Sequence, residues 1–379
     1  MRRLTVAQLL PALQSGGVER STLEIAQALV SAGHRALVVS AGGRLVPALE
    51  AVGAEHIAID IGRKSLLTLR HVGALRRLFA RERVDIVHAR SRLPAWLGWL
   101  ALRGGDAARP RFVTTVHGLN SPGRYSAVMT RGERVVCVSD TVRRYVLQHY
   151  PHTDADKLRV IPRGIDPAQF PHRPWPDAEA RRQAAHAFAQ LGGEGPLLLL
   201  PGRGTRLKGH ADALQLLASL RAGGLDARLW LPGAREPGRE AYIAELEAQA
   251  LALGIDGAVA FTTPTSRIVE AYAASDVVLQ LSRKPEAFGR TVIEALSVGR
   301  PVLGWAHGGV GELLAELAPA GAVPPFDAQA LLAGAHQLLS RPPQDPLGTM
   351  SAYTLHAMQD ATLAVYRELA DDFPSHDIR

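Results

Sequence analysis

The run Asp276-Val-Val-Leu-Gln-Leu-Ser-Arg-Lys-Pro-Glu-Ala-Phe-Gly-Arg-Thr-Val-Ile-Glu-Ala-Leu-Ser-Val-Gly-Arg-Pro-Val-Leu-Gly-Trp305 reads as strand, loop, helix and strand. Asp276–Leu281 and Pro301–Trp305 are short apolar runs, and the helix between them opens at Gly289. Two strands joined by a crossover helix pair in parallel, so this stretch predicts a βαβ unit and an α/β fold.

The same alternation extends outward in both directions. In the first half, strands are expected near Leu4–Leu10, Arg35–Ser40, Glu55–Asp60, Val84–Ala89, Phe112–His117, Arg134–Ser139 and Leu158–Ile161. In the second they fall near Pro196–Pro201, Ala227–Leu231, Ala258–Thr262, Asp276–Leu281, Pro301–Trp305 and Gly321–Val323. Between the halves, four prolines in Asp166-Pro-Ala-Gln-Phe-Pro-His-Arg-Pro-Trp-Pro176 can continue neither a helix nor a central strand, which makes this the linker. The expected organisation is one parallel α/β domain over 1–170 and a second over 171–350. A helix in 351–379 is expected to cross back to the first domain. Two open sheets facing a central cleft bind ligands on the loops after their strands.

A chain of 379 residues exceeds what one core usually organises. With 47% hydrophobic and 21% charged residues it has the profile of a soluble globular protein. The single cysteine, Cys137, excludes an internal disulfide and fits a reducing, cytoplasmic setting. The start Met1-Arg-Arg-Leu superficially suggests a leader, but Gln8, Pro11 and Gln14 interrupt the apolar stretch. No run approaches the roughly 18 apolar residues of a membrane span. The net charge of +7 is unevenly placed: residues 1–172 carry 25 Lys/Arg against 13 Asp/Glu, and residues 173–379 carry 18 against 23. The basic half suits an anionic partner. Nucleic acid is not expected, because aromatic and basic interleaving and groove-reading motifs are lacking.

Three loops carry candidate chemistry. Gly16 and Gly17 open the first helix, where backbone amides can approach an anion, although a tight turn would look the same. Leu200-Pro-Gly-Arg-Gly-Thr-Arg-Leu-Lys-Gly-His210 places Arg203 and Lys208 to neutralise two phosphates, and lysine occurs only four times in the chain. Glu286 and Glu294, seven residues apart in the opening stretch, would rise about 12 Å along a helix, the scale of a sugar plus a diphosphate. Gly289 would let free amides face phosphate oxygens. Exposed helix faces also carry such glutamate pairs without function.

The glutamate pair within E-A-F-G-R-T-V-I-E-A-L-S-V-G-R-P-V resembles the signature of glycosyltransferase family 4 in its two-Rossmann (GT-B) form. The likeness continues through S-G-G-V-E-R at 15–20, V-T-T-V-H-G at 113–118, I-P-R-G-I-D at 161–166, P-G-R with L-K-G, and H-G-G-V-G-E at 307–312. H-A-R-S-R-L-P-A-W at 88–96 is similar to the proteobacterial lipopolysaccharide and cell-envelope polysaccharide transferases. The resemblance implies two Rossmann-like, doubly wound domains and a retaining hexosyltransferase without cofactor, using a nucleotide-diphosphate sugar, a UDP-sugar above all. Arg203 and Lys208 would hold the diphosphate, Glu294 the ribose, Glu286 the transferred sugar, and His117 would point at that sugar. Gly16, Gly17, Ala287, Phe288, Gly289 and Arg290 would line the donor site. Arg290 stands where the family has an aliphatic residue, and Gly204 replaces an apolar one, which predicts a more mobile loop.

No D-x-D and no clustered metal-ligand set occurs, and Asp371-Asp372 reads as solvated charge, so no metal is expected. The acceptor, a lipopolysaccharide core or another envelope glycan or glycolipid, should meet the basic half. There Arg63–Arg83 combines Arg70, Arg76, Arg77 and Arg81 with Leu66, Leu69, Val72, Leu75 and Phe79. Such a helix either rests on anionic lipid at the cytoplasmic face of the membrane or covers a sheet. A nucleotide-sugar 2-epimerase of the same architecture and a silent sugar-nucleotide-binding subunit are the competing readings.

Overall fold

The computed structural model describes residues 2–14, 16–103, 109–341 and 350–371. Ser15 of the first glycine loop and the tail from Asp372 lie outside the described residues.

The chain divides into two compact units, 1–162 with 355–379, and 163–354. In the first, β1 (Thr5–Leu9), β2 (Arg35–Ser40), β3 (Glu55–Ala58), β4 (Ile86–Ala89), β5 (Arg111–Val116), β6 (Arg134–Cys137) and β7 (Leu158–Val160) form one sheet in the order β3-β2-β1-β4-β5-β6-β7. Every pairing is parallel. Helices α1 (Gly17–Ser31), α2 (Val46–Ala51), α3 (His71–Arg81), α4 (Arg92–Leu102) and α5 (Asp140–His149) supply the crossovers.

The second unit opens with α6 (Ala178–Ala187) and pairs β8 (Leu197–Leu199), β9 (Arg228–Pro232), β10 (Val259–Thr262), β11 (Val277–Gln280), β12 (Val302–Trp305) and β13 (Ala322–Val323) in the order β10-β9-β8-β11-β12-β13. These pairings are parallel as well. Its remaining helices are α7 (His210–Ala222), α8 (Glu240–Ala252), α9 (Ile268–Ala274), α10 (Arg290–Ser297), α11 (Gly308–Leu317) and α12 (Ala328–Leu339). Every expected strand is present, most shortened by one to three residues at their ends. Fully buried Leu197, Leu198 and Leu199 show why the strands are continuous apolar runs: helices cover both sheet faces.

The chain then returns. Helix α13 (Leu355–Asp371) places Met358, Leu363, Val365, Tyr366 and Leu369 in the same core as Leu4, Val6, Ile25 and Leu29. Tyr366 Oη lies 2.6 Å from Nδ1 of buried His88, whose Nε2 is 2.6 Å from Thr115 Oγ1, so a polar contact fixes the helix over β4 and β5.

Three expectations need correcting. The boundary falls at Pro162, eight residues earlier than expected, and the proline-rich segment is fastened to the second unit rather than hanging between domains. Ser297 Oγ donates to Phe170 O, Arg173 N to Val298 O, and the fully buried Arg300 to Arg173 O and Pro174 O. Burial pushes the Arg300 guanidinium down to about 10, and backbone carbonyls of Tyr272 and Ala273 also accept from it. The basic segment 63–83 is not one helix: a 3-10 turn over Leu66–Arg70 precedes α3. Leu75 and Phe79 are buried, whereas Leu67 and Leu69 are 72% and 50% exposed. Gly204 does not loosen its loop. It is buried, and a Cβ there would come within 2.1 Å of Ala234 O, so only glycine fits.

Candidate functional site

In an open parallel sheet the ligand crevice lies where strand order reverses. In the second unit that point is between β8 and β11; the loop after β8 carries Arg203 and Lys208, the loop after β11 carries Glu286, and the helix that follows it carries Glu294. After β8 the chain makes a 3-10 turn over Arg206–Lys208 and enters α7 through Gly209. Gly209 has φ 76°, and a Cβ there would lie 2.1 Å from Leu281 O. Glycine therefore lets the start of α7 press against the end of β11.

That contact brings Lys208 to Glu286. Lys208 Nζ is 2.6 Å from Glu286 Oε1, and Ser282 Oγ donates to the same oxygen. Burial opposes the charge on Glu286, but the ammonium and the hydroxyl outweigh it and hold the carboxyl below its usual range. The two residues expected to touch different parts of a donor are thus directly paired. Arg203 is exposed, and its guanidinium has no partner among the described residues.

Glu294 sits on the second turn of α10. Arg290, one turn earlier, donates to Oε1 at 3.0 Å, and Tyr272 donates to Oε2 at 2.9 Å. Burial and the neighbouring carboxylate push the Tyr272 hydroxyl well above its ordinary value, so it stays protonated and donates. Arg290, the departure from the aliphatic residue of the family, orients the carboxylate.

The loop between Glu286 and α10 is shaped by glycines opposite it. Gly289 precedes α10 and no side chain caps that helix, but a Cβ there would lie 2.8 Å from Val310 Cγ2, so the glycine also serves helix packing. Gly309 N donates to Glu286 O at 2.8 Å, and a Cβ on Gly308 would lie 2.6 Å from the same carbonyl. His307 Nε2 lies 2.8 Å from Ser282 O. Phe288 is buried with its ring 6.3 Å from that of Tyr353, and Ala287 offers its backbone against Gly309. Sequence reading assigned no role to Ser282, Tyr272 or His307. The H-G-G-V-G-E motif was the available signal for the last; nothing local marks the other two.

In the first unit, strand order reverses between β1 and β4. Gly16 and Gly17 begin α1 after β1, but the Glu19 carboxylate lies over Gly16, 2.6 Å from where its Cβ would be, so this helix start already faces a negative group. His117 follows β5, one strand beyond the reversal, and is half-buried. Arg90 is buried, donates to Gln8 Oε1 and Ser21 Oγ, and is pushed down to about 10 by burial. Among the described residues no group of three His, Cys, Asp or Glu side chains is arranged to hold a metal ion, and no helix is long and apolar enough to cross a membrane.

Residues 15–169 match the family Glycosyltransferase Family 4, and residues 182–349 match Glycosyl transferases group 1. D-inositol 3-phosphate glycosyltransferase of Xylanimonas cellulosilytica is 30% identical over 247 residues, which are 60% of this chain and 56% of that protein. The match thus spans little more than half of the curated relative. The crystal structure of a glycosyltransferase from Rickettsia africae ESF-5 superposes with a TM-score of 0.86 at 27% identity, covering 98% of this chain and all of that one. Anabaena Alr3699/HepE in complex with UDP and glucose gives a TM-score of 0.80 at 20% identity, over 96% of this chain and all of that one. With one transferase model answering to the first unit and another to the second, the chain belongs to the glycosyltransferases of the two-Rossmann (GT-B) architecture.

Proposed function

We propose that the protein is a retaining, metal-independent hexosyltransferase that takes sugar from a UDP-sugar. The observation that carries this reading is the Lys208–Glu286 pair at the strand-order reversal of the second sheet, with exposed Arg203 on the same loop as Lys208. Cleaving the bond from the anomeric carbon to phosphate develops negative charge on the diphosphate. Arg203, Lys208 and the uncapped amides of α10 oppose that charge, the kind of preorganised stabilisation that lowers such barriers. Glu286, held ionised, accepts hydrogen bonds from sugar hydroxyls, and Glu294 accepts from the ribose. In the first unit, His117, Gly16 and Gly17 are the residues this reading assigns to substrate. In front-face attack the leaving phosphate takes the acceptor proton, so no side-chain base is needed. UDP as the nucleotude carrier is supported by the Anabaena protein of the same fold, which was solved with UDP and glucose.

The acceptor in this reading is an anionic glycan or glycolipid of the cell envelope. The Xylanimonas relative is named for an inositol phosphate, which also suits the basic first half. Exposed Leu67 and Leu69 beside exposed Arg63, Lys64 and Arg70 supply a place to rest on anionic lipid at the inner membrane face.

The test is transfer from radiolabelled UDP-glucose to an envelope glycolipid extract, with the anomer of the product read by NMR. Acceptor-dependent release of UDP, unchanged by chelator and lost in the Arg203→Ala/Lys208→Ala double variant, is expected. Inversion of the anomer, loss of activity with chelator, or full activity of the double variant would refute the reading.

A further inference from the structure

The segment Pro324-Pro325-Phe326-Asp327 leaves β13 in a turn: Asp327 N donates to Pro324 O at 3.3 Å, and Phe326 has φ 67°. Proline second and a left-handed residue third is the pattern of a type II turn, whose third position ordinarily holds glycine or asparagine because a Cβ crowds the backbone there. Among the described residues, Arg83 (φ 48°) is the other non-glycine with positive φ. Arg83 terminates α3, with its N–H on Ala80 O, and helices commonly stop this way. Phe326 ends no helix; α12 starts after it, capped by Asp327.

Nor does the strain serve burial, since Phe326 is 48% exposed. Its ring stands edge-on to His307 (centroids 5.8 Å apart) and to Trp305 (5.9 Å), and the Arg283 guanidinium lies 4.8 Å over it. His307 is in turn held to Ser282, which donates to Glu286. The ring is therefore held by three side chains, one of them over its face, while the residue stays 48% exposed. It follows β13, so it stands at the same C-terminal end of the parallel sheet as the loops after β8, β11 and β12 that carry Lys208, Glu286 and His307. Strained residues that the surrounding structure holds in place concentrate at binding sites.

We propose that Phe326 is a specificity-determining residue whose exposed ring surface packs on the C–H face of a hexose bound at this end of the sheet. The inference rests on the proposed transferase reading and adds a recognition element to it. A hexose presents hydroxyls at its rim, which suit Glu286, and an apolar face, which suits an aromatic ring. The donor sugar and a sugar ring of the acceptor share this chemistry.

The test is calorimetric titration of wild type, Phe326→Asn and Phe326→Tyr with UDP, with UDP-glucose, and with glucose after saturation by UDP, together with melting curves. Asparagine fits the left-handed turn, so Phe326→Asn should melt no lower than wild type and bind UDP equally well. A loss of about fivefold or more confined to UDP-glucose assigns the ring to the donor sugar. The same loss confined to glucose assigns it to the acceptor, and Phe326→Tyr should restore either. Unchanged sugar affinities in Phe326→Asn overturn the proposal, with or without a lower melting temperature; a lower one would make the ring a cover for Trp305. An equal loss for UDP and UDP-glucose also overturns it, since the ring would then touch the nucleotide. Failure of wild type to bind UDP removes the transferase reading and this inference with it, whereas normal UDP binding with an indifferent Phe326→Asn removes the inference alone.

Discussion

Lys208 Nζ and Glu286 Oε1 stand 2.6 Å apart, each on the loop that follows one of the two strands where the second sheet reverses its order. The pair joins positions 78 residues apart in sequence. In Lys208→Met, burial, the largest influence on Glu286, is opposed only by the Ser282 hydroxyl and by His307, and the carboxyl rises from its wild-type position. A depressed acid adds stability that is complete above its unfolded pKa and lost as pH falls through the folded one; a raised acid regains stability as pH falls. The variant should therefore melt below wild type at pH 7, by about 1–2 kcal/mol for a lost charged hydrogen bond, and the gap should narrow towards pH 5. Scanning calorimetry at both pH values checks this. A gap that is constant or widens on acidification would contradict it.

Arg203 is exposed and its guanidinium has no partner among the described residues, so folding does not depend on it. Arg203→Ala should change stability by no more than about 0.5 kcal/mol. If its guanidinium grips phosphate, UDP affinity should fall by about 1.5–3 kcal/mol, roughly 10- to 100-fold. Paired melting and titration experiments separate the two effects, and unchanged affinity would remove Arg203 from the site.

Tyr272 is fully buried and gives its hydroxyl to Glu294. Tyr272→Phe should cost about 1 kcal/mol and lower the melting temperature by about 2–4 °C. Arg290 still donates to Glu294, but the carboxylate loses one of the bonds that orient it. UDP should then bind more weakly, while uracil, which has no ribose, should be unaffected by the change. Equal effects on both ligands would show that Glu294 is not the ribose acceptor.

Truncation after Thr354 removes Met358, Leu363, Val365, Tyr366 and Leu369 from the first unit. At about 1.5–3 kcal/mol for each large buried side chain, the loss is comparable to the whole stability of a typical domain. The first unit should then unfold, or be digested by protease, at temperatures where the second survives. A truncated chain with two protected units would refute this role for α13.

Much of the fold was legible because parallel strands buried on both faces need unbroken Val, Ile and Leu runs, and such runs stand out between helical segments. The run Leu197–Leu199 is a case in point. The basic segment 63–83 was misread as one helix, because a helical apolar spacing across Leu69, Leu75 and Phe79 does not show that Leu69 points to solvent while the other two enter the core. Gly204 was misread for a related reason: nothing local announces the Ala234 carbonyl that excludes a side chain there.

The sequence by itself determined the two α/β units, the loops that carry Arg203, Lys208 and Glu286 and the helix that carries Glu294, because strand periodicity and charged residues after strands are local properties. Tertiary structure decided how those side chains are engaged: Lys208 with Glu286 and Ser282, Glu294 with Tyr272 and Arg290, and Phe326 exposed at the C-terminal end of the sheet. Hydrogen bonds and ion pairs act over about 3 Å in space. Which distant residues come that close is set by strand order and by glycines that let backbones touch, and neither can be read from spacing along the chain.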